Sequence, residues 1–377
     1  MSELIYKKIV HKLTGVVRIK AIGACKGEVL LSYLTEPFLL SPDELERVPH
    51  TNMWECIEIA RLFSARGYNV DVINWKNTAF IPKKNYSYIF DVHQNIERLL
   101  PYLPKDCWRI FLATGCHWLF QNSAEYQRLI ELRDRRGIVL SPQRNVPAVR
   151  GIEHADHAIG YGNTHTFSTY NFAKKAIRPI PVSATAMYGF NETKDYEKVR
   201  KNYVWIGGGG AVHKGLDLVL EAFAAMPEYH LSICGPFAAE KDFTEAYHKE
   251  LYKTPNITAL GRMDVRGEEF KQVVNNAVAL IYPSSSEGQA GSVIAGMHAG
   301  LIPLISRASG VDVDGFGTIL QNCSIEEIKN TVRATSALPA DQLKKRSKDS
   351  WEYARKHHTR EAFTREFSSF LNDIDLQ

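Results

Sequence analysis

Apolar residues along this chain alternate between two spacings, nearly continuous runs and a helical recurrence, and the changes fall at glycines and prolines. Gly27-Glu-Val-Leu-Leu-Ser-Tyr-Leu34 predicts a strand buried on both faces. Met53–Arg66 recurs helically, with Thr51 or Asn52 as the expected N-cap and Gly67 as the stop. Asn69-Val-Asp-Val-Ile-Asn74 then predicts the next strand. Strand, helix and strand in that order form the repeating unit of a parallel sheet. Tyr88-Ile-Phe-Asp-Val92, Arg109-Ile-Phe-Leu-Ala113 and Gly137-Ile-Val-Leu140 predict further strands, with a helix over Asn122–Arg133 between the last two.

From Arg178 to about Arg200 the chain is rich in proline and then in charge, the composition of an interdomain connection. A second alternating set follows, with strands predicted around Val204, at Tyr229–Gly235, Ile257–Gly261, Val278–Tyr282 and Ile302–Ser306. A length of 377 residues with 45% hydrophobic content suffices for two cores. The expected fold class is α/β, with two Rossmann-like domains. Residues 1–185 form the first, 186–200 a linker, 201–355 the second, and 356–377 a final helix with aromatic residues at helical spacing.

Two loops carry chemistry. Tyr203-Val-Trp-Ile-Gly207-Gly-Gly-Gly210-Ala-Val-His-Lys214-Gly215 reads as strand, glycine loop and lysine before an amphipathic helix. Tyr282-Pro-Ser-Ser-Ser-Glu287-Gly-Gln-Ala-Gly291-Ser292 reads as a strand end, one carboxylate and a small-residue turn before another helix. α/β folds hold phosphates at such turns, because backbone N–H groups approach an anion at the N-terminus of the following helix. A lysine at a helix start is mildly disfavoured unless an anion sits there, which favours an anion ligand over a plain solvated Lys214. The four glycines taken alone fit a flexible turn equally well.

Together and in this order, the two segments resemble the retaining GT-B glycosyltransferases of family four (glycosyl transferases group 1). That family's usual wording is a Gly-Arg loop, Lys-Gly-Leu-Asp-Leu-Leu-Leu-Glu-Ala-Phe, and Pro-Ser-x-x-Glu-Gly. The likeness is strongest from Tyr203 to Gly317. It implies two Rossmann-like domains facing each other across a cleft, with the terminal helix packing back toward the first. It also implies transfer of a sugar from a nucleotide-sugar donor to a hydroxyl of a glycan, lipid-linked saccharide or similar acceptor, with retention and with no cofactor or metal. On the resemblance, Gly208, Gly209, Gly210, Lys214, Gly291 and Ser292 hold the diphosphate and Glu287 hydrogen-bonds the donor sugar. His117, after the strand that ends near Thr114, faces the cleft and orients the transferred sugar or the acceptor. His50, Asn52, His93 and Arg144 are further candidates for the cleft.

The chain departs from the family wording twice. The family arginine precedes the lysine by five or six positions, which here are Gly209 and Gly208; Arg262, Arg307 and His213 are candidates to replace it. The ribose-binding glutamate, eight residues after Glu287, falls on Ala295. These losses suggest either a donor on deoxyribose, such as a dTDP sugar, or a non-catalytic relative that binds a nucleotide or glycan in a polysaccharide assembly system. A dinucleotide-dependent oxidoreductase is disfavoured, since no acid stands convincingly at the end of Leu231–Gly235 to take a ribose. Asp312-Val-Asp314 imitates a metal-binding pair but sits in a glycine-rich loop, so no metal is assigned.

A formal net charge of +4 is too mild for a nucleic-acid binder. Six cysteines, scattered without metal-ligand spacing, read as reduced thiols. With no run of ~20 apolar residues and no cleavage pattern at the start, the expected location is the cytoplasm. Leu4–Leu13 spaces apolar residues helically and leaves Lys7, Lys8 and Lys12 to the other face. That pattern fits an ordinary surface helix or a peripheral contact at the inner face of the membrane.

Overall fold

The apolar runs become the interior strands of two sheets. In the computed structural model, which describes residues 3–46 and 50–375, the first sheet contains β1 (Val16–Ile19), β2 (Gly27–Tyr33), β3 (Tyr68–Asn74), β4 (Tyr88–Asp91), β5 (Trp108–Ala113), β6 (His157–Gly160) and β7 (Ile177–Pro179). Their order is β1-β3-β2-β4-β5-β6-β7, parallel throughout except for β1, which pairs antiparallel at one edge. The second sheet contains β8 (Asn202–Ile206), β9 (His230–Cys234), β10 (Ile257–Gly261), β11 (Ala279–Tyr282), β12 (Ile302–Ser306) and β13 (Thr318–Leu320). Its order is β10-β9-β8-β11-β12-β13, wholly parallel, and the order of strands reverses between β8 and β11. Val29, Leu30 and Leu31 of β2 and Ala279, Leu280 and Ile281 of β11 are fully buried, as strands covered by helices on both faces require.

The flanking helices include α1 (Glu3–Thr14), α2 (Thr51–Ala65), α3 (Trp118–Arg136), α4 (Leu216–Ala224), α5 (Gly291–His298), α6 (Ala340–His357) and α7 (Arg360–Asp375). Two of them cross between the domains. Although α7 follows the second domain, it packs on the first: Phe363 meets Trp54 edge-on at 5.7 Å, and Phe367 meets Phe63 and Phe90 at 6.4 and 5.9 Å between ring centroids. In the opposite direction α3 ties the first domain to the second. Arg128 donates to the Pro283 carbonyl at 2.8 Å, Arg135 pairs with Asp217 at 2.7 Å and Glu221 at 2.9 Å, and Arg136 pairs with Glu250 at 2.8 Å.

Three local expectations change. Thr51 and Asn52 lie inside α2, whose N-cap residue is His50 with no side-chain cap bond. Gly137–Leu140 is not a strand: β6 occupies the position beside β5, and the loop after α3 spends its N–H groups on carboxylates instead. Ser141 N–H donates to Asp242 at 2.9 Å, and Gln143 and Arg144 N–H both donate to Glu125 at 2.7 Å. The short strands β1, β6, β7 and β13 are additions that the apolar pattern did not predict.

Candidate active site

The strands β8 and β11 end side by side where the strand order reverses, and open α/β sheets bind ligands in the crevice outside such a point. A cavity of about 490 Å³ lies there, within the size range of small-molecule sites. Its second-domain wall includes Gly207, Gly208, Gly209, Lys214, Gly291, Ser292 and Ala295. The first-domain wall consists of His50, Thr51, Arg144, Ser183, Ala184 and Thr185.

Packing explains only some of the glycines. A Cβ on Gly207 would lie 2.2 Å from the Trp205 ring, and one on Gly215 would lie 2.5 Å from the Pro283 carbonyl oxygen. Gly215 also has φ of 70°, so both positions require glycine and the turn after β8 rests against the turn after β11. By contrast, a Cβ on Gly208 or Gly209 would meet nothing closer than 4.0 and 3.9 Å, so the bare backbone there faces open cavity. Gly210 departs from its expected role. It does not line the cavity, its N–H donates to Glu240 at 2.6 Å, and its φ is 90°.

Lys214 and Glu287 form a pair. The Lys214 ammonium, on a residue 7% exposed, donates to the Tyr282 hydroxyl at 2.9 Å and pairs with Glu287 Oε1. The Tyr282 and Ser284 hydroxyls donate to the same oxygen at 2.8 and 3.1 Å. Burial alone would push the Glu287 carboxyl up, but Lys214 beside it outweighs burial and holds it down to about 2. The carboxylate is therefore ionised, with Oε2 outside this set of bonds. Glu287 stands behind Lys214 rather than on the cavity wall and fixes the ammonium at the cavity edge.

Of the three candidates for the missing cation, His213 is excluded by its surroundings. Its Nε2 lies 2.7 Å from the Ser286 carbonyl, which only accepts, so that nitrogen carries the proton, and burial lowers the ring to about 4. Arg307 does not reach the cavity, whereas Arg262 does. His117 is not brought to the cavity either. Cys116 donates to the Glu287 carbonyl at 3.2 Å, and a Cβ on Gly288 would lie 2.4 Å from the Thr114 carbonyl oxygen. That contact seals this side of the cleft and leaves His117 beyond it, packed against Tyr170 and Phe172 in a separate apolar groove. His93 packs against Trp75 with centroids 4.6 Å apart and the rings tilted by 40°, and neither it nor Asn52 lines the cavity. Asp312 accepts from Asn163 at 3.0 Å. Ser183, Thr185, Met263 and Phe270 also line the cavity, without any motif in the sequence to single them out.

Two Rossmann-like domains facing a cleft, with the ligand-sized cavity at the second sheet's switch point, constitute the GT-B fold. Residues 191–357 match the model of the family described as glycosyl transferases group 1. Among solved structures, sucrose-phosphate synthase from Thermosynechococcus elongatus superposes with a TM-score of 0.62 at 13% identity, over 93% of this chain and 99% of that one. HepE from Anabaena, solved with UDP and glucose, gives 0.55 at 12% identity over 92% and 100%. A point mutant of S. aureus TarM in complex with fondaparinux, alpha-GlcNAc-glycerol and UDP gives 0.54 at 11% identity, over 76% of this chain and 55% of that one. This chain thus spans about half the length of TarM. At these identities the likeness is one of fold. No curated protein matches the sequence, and among the described residues no helix is long and apolar enough to cross a membrane.

Proposed function

We propose that this protein is a glycosyltransferase that moves a sugar from a nucleotide-sugar donor to a hydroxyl on a glycan, lipid-linked saccharide or smaller acceptor, with retention and without a metal. The observation that carries the reading is the cavity wall itself, in which one buried ammonium, open glycine backbone and the start of α5 line the same cavity of about 490 Å³. The negative charge of a diphosphate leaving group grows as the glycosidic bond breaks. Fixed donors aimed at it stabilise that transition state more than the bound donor. Lys214 and the N–H groups of Gly291 and Ser292 supply those donors in this reading, while Glu287, behind Lys214, holds the ammonium in place. The acceptor enters from the wall of His50, Thr51 and Ser183, and its proton passes to the departing phosphate, since neither His117 nor the neutral His213 stands ready as a base there.

The test is a thermal-shift screen of UDP, GDP, dTDP, CMP and ADP sugars, because a ligand that binds only the folded state raises its melting temperature. A selective rise with one sugar nucleotide, lost in Lys214→Ala, is the expected result; no rise with any of them would overturn the reading. One observation favours a second reading, a relative that binds without turnover: Ala295 occupies the cavity wall where the family carries its second glutamate. Hydrolysis of the bound donor in the absence of acceptor, measured by release of free sugar, separates the two. A membrane-associated acceptor is supported by α1, on which Ile5, Ile9 and Leu13 are 50%, 46% and 80% exposed.

A further inference from the structure

We propose that Arg144, carried by the first domain, is the second cation of the diphosphate site, reaching across the cleft to the position that an arginine within the glycine loop would otherwise fill. This rests on the reading above that the cavity takes a nucleoside diphosphate.

The glycine loop is shaped around this side chain. A Cβ on Gly210 would lie 2.5 Å from Arg144 Cγ and 2.9 Å from Cδ, so any residue but glycine would push the arginine away. The arginine stem therefore lies directly on the loop, and Arg144 lines the same cavity as Lys214, Gly208 and Gly209. Its backbone is held firmly. The N–H donates to both Glu125 oxygens at 2.7 and 2.9 Å, and its carbonyl accepts from Gln121 at 2.7 Å. Both partners belong to α3, which is itself fixed to the second domain through Arg128, Arg135 and Arg136.

The guanidinium, in contrast, has no hydrogen bond or ion pair among the described residues, and the residue is exposed. A held backbone carrying an unpaired, forked cation into a cavity is an arrangement for a ligand, since guanidinium geometry matches phosphate oxygens bidentately. The positive charge already acts on this site: it is among the charges that hold the Glu287 carboxyl low. Arg262, the other arginine on the wall, follows β10, which is two strands from β8 in the sheet.

The experiment is isothermal calorimetry. Wild type is titrated with UDP, GDP, dTDP and ADP, and the tightest of these and its monophosphate are then titrated into Arg144→Ala, Arg144→Lys and Lys214→Ala. Arg144→Ala is expected to weaken the diphosphate ~10- to 100-fold, the range for losing charge-assisted hydrogen bonds, and the monophosphate less than about 3-fold. Arg144→Lys should recover part of the loss, and the salt dependence of diphosphate binding should flatten in the alanine variant. Because the guanidinium has no hydrogen bond or ion pair among the described residues, the melting temperature should stay at the wild-type value; if it falls, Arg144→Lys carries the comparison. Wild-type diphosphate affinity in Arg144→Ala alongside a loss in Lys214→Ala would overturn the role of Arg144 and leave the function standing. So would equal losses for diphosphate and monophosphate. Absence of binding to wild type, or no effect of Lys214→Ala, would overturn the nucleotide site, and Arg144's role with it.

Discussion

At the scale of single residues, the buried Lys214–Glu287 pair bears on stability and, on the function proposed above, on binding. Removing one member of a buried ion pair leaves the other charge uncompensated, which typically costs 3–5 kcal/mol, on the order of 3 here because the side chains are 8% and 13% exposed. Glu287→Gln should therefore lower the melting temperature of the free protein. A diphosphate would then supply the missing anion, so UDP should raise the melting temperature of Glu287→Gln more than that of wild type. An unchanged melting temperature in the variant would show that the pair does not hold Lys214. The positions of both residues were legible in the sequence, because each belongs to a strand-loop-helix segment whose order places it after a strand end, but the contact between them was not. Arg144 ranked low there for a physical reason: its importance depends on Gly210, which belongs to the other domain, and on backbone bonds to Glu125 and Gln121 that no local pattern reveals.

At the scale of elements, long apolar runs such as Val29–Leu31 and Val278–Tyr282 were readable because parallel strands are buried on both faces. Gly137–Leu140 has the same local composition yet remains a loop, since a strand needs an open sheet edge and β6 already fills that position. His117 was misplaced through a similar gap: the strand end before it was correctly read, but the seal between Thr114–Cys116 and Glu287–Gly288 was not. The exposed stripe of α1 has its own consequence. Ile5, Ile9 and Leu13 recur every four residues and so share one helix face. Vesicles containing anionic lipid should carry the protein upward in a flotation gradient, and Leu13→Asp should reduce the floating fraction several-fold. Equal flotation of both proteins would assign the stripe no role at a membrane.

For the whole molecule, buried histidines set the response to acid. Burial holds His213 and His358 at about 4, below the ordinary value of 6.5. Groups lowered in this way contribute stability that is complete above about pH 6.5 and is lost as pH falls from there to 4. Each contributes up to about 3 kcal/mol. Glu287, held at about 2, adds a loss of the same sign in a lower window, from the usual 4.5 down to 2. Urea midpoints should accordingly fall between pH 7.5 and pH 5, and a flat profile over that interval would contradict neutral, buried rings. The path of the chain has a further consequence, for its synthesis. Phe363 and Phe367 of α7 cover Trp54, Phe63 and Phe90, whose own helix and strand are made some three hundred residues earlier. On the ribosome, the first domain must therefore wait with an uncovered aromatic face until nearly all of the second has been translated, which makes it the half most in need of a chaperone.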